Sequence, residues 1–195
     1  MTKTKEYEEP YFIWVGAGEA KNSLFLESFL KIFPNGNVKI LEARESCVKK
    51  LRKRFYNKIN VEIVCSAVDI NGGEKEFYFM NVAEFSGFKK PTGILEYYPG
   101  LAPLRTKEMV FLSLDDFFLK LNFGFNSNYL YIDTCYLQLD VINYLINNNK
   151  LFNFSRINVL LSEKPLFSGG GSLTPVKNLL FSHGFEIVAI DNDDP

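Results

Sequence analysis

The sequence predicts an α/β fold, a doubly wound, mostly parallel sheet with helices on both faces, and three observations carry that expectation. Short apolar runs alternate with helical apolar spacing along most of the 195 residues. Several runs are almost continuously apolar, as strands buried on both faces of a parallel sheet should be. The segment from Tyr11 to Glu42 joins an apolar run, Tyr11 to Val15, through Gly16-Ala17-Gly18 to a helical stretch and then to a second apolar run closing on Glu42. Glycines let the backbone turn sharply and approach a ligand closely, and an acid at the end of the next strand can accept hydrogen bonds from a ribose diol, so the segment reads as a Rossmann-like nucleotide site.

Strands are expected at 11–15, 37–42, 60–66, 76–80, 109–112, 128–133, 157–162 and 185–190. Helices are expected at Ser23 to Ile32, Ser46 to Asn57, Leu114 to Leu121, Leu137 to Asn147 and Thr174 to His183. Pro34-Asn35-Gly36 stops the first helix, Asn71-Gly72-Gly73 makes a tight turn between two strands, and His183-Gly184 ends the last helix. Glu84 to Thr106 lacks periodicity and reads as a long loop, and Phe167 to Leu173, with its run of glycines, reads as a second flexible element.

At 47% hydrophobic content the chain can bury one sizeable core but is too short for two large ones, so a single domain over 1–195 is expected. Lys+Arg 22 against Asp+Glu 23 leaves no whole-chain charge to attract nucleic acid, and no nucleic-acid partner is expected. The cluster Lys49, Lys50, Arg52, Lys53 and Arg54 reads as the solvated side of a helix, with a phosphate or acidic-partner role as the alternative. Cys47, Cys65 and Cys135 share no CxxC spacing and the single histidine, His183, has no evident metal partner, so no metal site is expected. The sparse cysteines and the start MTKTKEYEEP, which has no apolar signal core, point to the cytoplasm. No run reaches the roughly 18 apolar residues of a membrane-spanning helix.

Six segments then carry a family likeness by order and spacing: IWVGAGEA at 13–20, VKILEARESCVKKLRKRF at 38–55, NVEIVCSAVDINGGEKEFYF at 60–79, VFLSLDDFF at 110–118, YLYIDTCYLQLDVINYL at 129–145 and INVLLSEKP at 157–165. Together they resemble the FkbM-like S-adenosylmethionine-dependent methyltransferases. The resemblance implies a class I methyltransferase fold, S-adenosylmethionine as cofactor and O-methylation of a small hydroxylated acceptor, a sugar or secondary metabolite. Such a sheet normally adds an antiparallel strand where this chain closes on Asp191 to Pro195, so the expectation is a sheet lacking that strand or a fragment of a longer chain. Departures fall at Trp14, where the family has aspartate, at Gly18 and Ala20 in the glycine motif, at Tyr131, and at Thr134 to Gln138 in place of Val-Glu-Gly-Ala-Glu.

The resemblance and the residues together nominate a site. Gly16, Ala17 and Gly18 bind the methionine part of the cofactor or form an ordinary strand-to-helix turn, and Glu19 caps the next helix or touches the ligand. Glu42 accepts the ribose hydroxyls or pairs with Arg44 or Lys39. Ala67 leaves room for the adenine, and Asp69 accepts from its amine or shapes a turn. Asp133 takes the acceptor's proton or caps the helix that follows. Tyr136 fills space that a glycine would leave open, Glu163 lines the cleft or pairs with Lys164, Cys135 lacks neighbours that would activate it, and Trp14 belongs to the core.

Two classes of function compete with methyl transfer. A catalytically inactive domain on the same fold, serving as a binding or accessory module, follows from the departures, and a homodimer or a neighbouring domain of a longer chain would supply its context. A dinucleotide-dependent oxidoreductase is disfavoured by the incomplete G-x-G-x-x-G spacing.

Overall fold

The computed structural model describes residues 9–21, 23–119, 121, 123, 127–134 and 136–189. Cys135 and the closing run from Asp191 lie outside them. The strands are β1 (Tyr11–Val15), β2 (Asn37–Glu42), β3 (Val61–Cys65), β4 (Ala67–Asp69), β5 (Asn71–Met80), β6 (Pro103–Ser113), β7 (Asn128–Ile132) and β8 (Phe154–Val159). The helices are α1 (Leu24–Ile32), α2 (Glu45–Arg54), α3 (Ile94–Tyr97), α4 (Leu114–Leu119), α5 (Gln138–Asn147) and α6 (Leu173–Ser182).

Five strands form one parallel sheet in the order β3-β2-β1-β7-β8. Strand periodicity sends alternate side chains to opposite faces, and β1 shows it directly. Phe12 and Trp14 join Leu26 and Phe29 of α1 and Leu51 of α2 in one core. Ile13 and Val15 join Phe117 and Phe118 of α4, Val141, Ile142 and Leu145 of α5, and Val176 of α6 in the other. Helices thus cover both faces, which explains why β1 and β7 read as nearly continuous apolar runs; β2 is buried as well, with Lys39 inside it paired to Glu62. Trp14 is fully buried and stacks on Tyr131 at 5.0 Å between ring centroids, as a core residue. Truncating such an aromatic costs about 3–5 kcal/mol.

After β3 the chain leaves this sheet and builds a second one, order β4-β6-β5, before α4 returns it to β7 on the far side of β1. The order therefore reverses at β1, and a crevice opens there beyond the carboxyl ends of the strands.

Several expected elements shift. Asn71-Gly72-Gly73 does not join two paired strands: β6 lies between β4 and β5, and Gly72 and Gly73 take the positive φ values of 66° and 87° at the entry to β5. A Cβ on Gly72 would meet the backbone of β6 at 2.7 Å, so the glycine is needed for close strand approach. The loop expected at 84–106 contains α3 and the start of β6. Its middle is bound to the second glycine segment, with Thr92 and Ile94 N–H donating to Leu166 O at 3.0 and 3.1 Å and Ser168 N–H donating to Lys90 O at 3.0 Å. Phe167 is 1% exposed, so that segment is anchored rather than free. β8 starts three residues earlier than expected, because a 3-10 turn at Leu151–Asn153 feeds it and the Asn128 amide holds that turn by donating to Asn153 O at 2.8 Å. Of the strand expected at 185–190, Ile190 lies outside the described residues and 185–189 form no strand: among the described residues no strand pairs with them, Phe185 N–H closes back on Leu180 O at 3.1 Å, and Glu186 to Ala189 are exposed.

Candidate functional site

Strand register assembles the site. Val15 sits opposite Leu41 on one side and Ile132 on the other, so the next step of each strand brings Gly16, Glu42 and Asp133 to one level at the carboxyl edge. Gly16 N–H donates to Leu41 O at 2.9 Å and Asp133 N–H to Val15 O at 2.8 Å, which extends the ladder by that step. Period-two alternation puts the Glu42 and Asp133 side chains on the face that carries Trp14 and Tyr131.

Gly16 has φ 83°, and a Cβ there would lie 2.4 Å from Thr134 Cγ2 and 2.5 Å from Asp133 O. Only glycine lets the loop pass so close to the end of β7. Gly18 and Ala20 also have positive φ, 56° and 55°. The loop is stitched down: Ala17 N–H donates to Leu41 O at 3.3 Å and Gly18 N–H to Glu42 Oε2 at 2.7 Å.

Glu42 is committed to the protein. It is 4% exposed, and its Oε1 accepts from Arg44 N at 2.8 Å and Arg44 Nε at 3.0 Å. Arg44 Nη1 in turn donates to Ala83 O at 2.6 Å, tying the first sheet to the segment after β5. Burial works against the Arg44 charge, but the adjoining Glu42 carboxylate outweighs it and holds the guanidinium above its ordinary range. The alternative raised for Glu42, an ion pair with Arg44, is thus the arrangement in place; Lys39 pairs with Glu62 instead.

Asp133 differs. The helix after it begins at an N-cap, Leu137, that makes no side-chain cap hydrogen bond, and Thr134 Oγ1 accepts from Leu137 N–H at 3.2 Å in the turn before it, so Asp133 is not the cap. Burial pushes its carboxyl from 3.8 up to about 6, Glu42 adds to the rise, and Trp14 and Arg44 oppose it. The Trp14 indole N–H is buried without a partner at hydrogen-bond geometry among the described residues, yet it lies close enough to Asp133 to draw on its charge. A carboxylate with a proton affinity near neutrality is suited to general-base work. Burial, with the Asp133 charge adding to it, also pushes the neighbouring Tyr131 phenol up.

A cavity of about 1040 Å³ opens at this edge. Its floor is Gly16, Ala17, Gly18, Tyr131 and Asp133, its side is the start of α2 from Arg44 to Cys47, and its roof is Phe79, Arg105, Lys107 and Met109 of the second sheet. Sequence reasoning missed the roof, because exposed β6 carries charges with no apolar stripe to announce it. Glu42 lines only a smaller space of about 60 Å³, shared with Asp133, Thr134 and Tyr136. Ala67 and Asp69 line neither: Ala67 packs with Phe77 and Phe111, and Asp69 pairs with Lys75, so the expected adenine contacts are not brought to the cavity.

The remaining candidates have structural partners. Glu19 borders the cavity and pairs with Lys50 at 2.6 Å, which lowers its carboxyl. Of the α2 cations, Lys49 pairs with Glu45 at 3.0 Å and Arg54 Nη2 donates to Ser23 Oγ at 2.8 Å. Tyr136 is buried, its ring edge-on to Phe88 and Phe167 and against the backbone of Gly87, filling the space expected for it. Burial pushes the Cys47 thiol up despite nearby Arg44. Glu163 is exposed, and Lys164 pairs with Glu96 instead.

The chain matches no protein-family model, no curated protein and no solved structure. Among the described residues no group of three His, Cys, Asp or Glu could hold a metal ion, and no helix is long and apolar enough to cross a membrane.

Proposed function

We propose that this chain is an FkbM-like, S-adenosylmethionine-dependent O-methyltransferase domain that methylates a hydroxyl of a small acceptor. One observation carries the reading: Asp133, a carboxylate with its proton affinity raised to about 6 and no capping duty, borders a roomy cavity at the point where strand order reverses. Open α/β sheets bind ligands at such a point.

The residues present suit the cofactor in part. The Gly16 to Gly18 backbone passes close to the end of β7 and borders the cavity, as a loop lying against the methionine part would, and Asp133 adds negative charge for a cationic ligand. Glu42 fixes this loop from behind, and any ribose contact would use the one lone pair left over, on Oε2. When bound, the cofactor supplies an electrophilic methyl group on a sulfonium whose sulfur leaves as a neutral thioether. Asp133 accepts the proton of the acceptor hydroxyl as its oxygen gains the methyl group, between a floor that includes Tyr131 and a roof that includes Phe79 and Met109.

A second reading, a catalytically silent binding module, is favoured by the internal use of Glu42. Transfer of labelled methyl groups to a panel of hydroxylated sugars and metabolites separates the two. The methyltransferase reading expects turnover that Asp133→Asn lowers by roughly 10²-fold or more, the usual worth of a general base. Equal turnover in Asp133→Asn removes Asp133 as base, and no transfer to any acceptor favours the silent module.

A further inference from the structure

Charges around the cavity pair off almost completely. Lys21 meets Glu84 at 3.2 Å, Arg44 meets Glu42 at 3.0 Å, Lys49 meets Glu45 at 3.0 Å and Lys50 meets Glu19 at 2.6 Å. On the roof sheet Lys75 is closed onto Asp69. Two cations on the cavity wall are left over: among the described residues no carboxylate pairs with Arg105 or Lys107. Lys107 acts on Glu45 only from a distance, and Lys49 already occupies that carboxylate.

Their placement is ordered. Arg105 sits opposite Phe79 and Lys107 opposite Phe77, so both project from one face of β6, about 7 Å apart along the strand. The Arg105 guanidinium lies over the Phe79 ring, 4.1 Å from its centroid, which orients its planar donor fork. The glycine loop offers no competing anion site, because its Gly16, Ala17 and Gly18 N–H groups are spent on Leu41 O and Glu42. An anion entering the cavity is drawn to β6 and repelled by Asp133.

We infer that the acceptor is itself an anion, bearing a phosphate or carboxylate that Arg105 and Lys107 hold while its hydroxyl faces Asp133. This deepens the methyltransferase reading and rests on it. The two cations are where a planar or tetrahedral oxyanion gains charge-assisted bonds, and their distance from Asp133 along the cavity sets which hydroxyl is presented.

The test uses pyrophosphate and citrate as probes in calorimetric titrations at low salt, against the wild-type chain and the double variant Arg105→Gln/Lys107→Gln. Both changes are on exposed positions and replace a cation by a neutral polar side chain. Wild type should bind at least one probe, more weakly as salt rises, and the double variant should lose about tenfold in affinity. Tighter pyrophosphate assigns a phosphate-bearing acceptor and tighter citrate a carboxylate-bearing one. Equal affinity in the double variant, or no binding of either probe, overturns the inference. A parallel titration with S-adenosylhomocysteine keeps the two claims apart: it should be unaffected by the double variant, and its failure in wild type strikes the methyltransferase reading while the anion titrations are read independently.

Discussion

Two strand ends at the same level of the sheet carry the same kind of residue and put it to different uses. At the end of β2, Glu42 is enclosed by Gly18 N–H, Arg44 N–H and the Arg44 guanidinium. At the end of β7, Asp133 borders the cavity and caps no helix. The neighbours account for the contrast: Arg44 follows Glu42 by two residues and folds back onto it, whereas after Asp133 it is Thr134 Oγ1 that accepts from Leu137 N–H in the turn before α5. A carboxylate with three donors builds the loop, and the other borders the cavity without that duty.

The largest expected effect comes from breaking the β2 end. Glu42→Ala leaves Arg44 with 14% of its side chain exposed and no carboxylate, together with two N–H groups deprived of acceptors. Losing one partner of a buried pair costs about 3–5 kcal/mol, so the urea midpoint should fall sharply. A drop no larger than that of an exposed substitution would show that Glu42 is not what holds the loop.

The β7 end should respond in the opposite direction. The Asp133 carboxyl rises from 3.8 to about 6 on folding, so the folded state binds its proton more tightly than the unfolded chain. This group's contribution is therefore most favourable at low pH and is lost as pH rises from about 4 through about 6. The shift corresponds to about 3 kcal/mol of strain in the ionised form at neutral pH. Asp133→Asn should recover about 2 kcal/mol of it, raising the melting temperature at pH 7.5 and flattening stability between pH 4 and 6. Equal melting temperatures for variant and wild type at both ends of that range would place Asp133 in ordinary solvent.

The smallest effect sharpens the contrast from outside. Lys49→Ala removes an ion pair with Glu45 whose partners are 72% and 75% exposed, and no measurable change in midpoint is expected. A clear loss would mean that charge pairing at the cavity rim is more than surface decoration.

How much of this was legible follows from burial. β1, β2 and β7 lie between two helical layers, so their residues are buried almost throughout, and their spans read from the sequence to within a residue. β6 was read as four residues where the strand spans eleven, because most of it is exposed and Arg105, Lys107 and Glu108 carry no buried stripe. The glycine loop announced itself through Gly16 and Gly18, and the carboxylates at both strand ends were visible as residue types. Their division of labour was not, since it depends on where Arg44 and Thr134 point. Asp69 illustrates the same limit: it follows the third strand as expected, and Lys75, six residues later, takes its carboxylate.

The central claim is that the cavity beyond β1 and β7 receives an adenosine-bearing ligand. Calorimetric titration of S-adenosylhomocysteine into the wild-type chain tests it most directly. Saturable binding at one site per chain, retained in Asp133→Asn, is the predicted result. An absence of binding at any attainable concentration, with the protein shown to be folded, would contradict it.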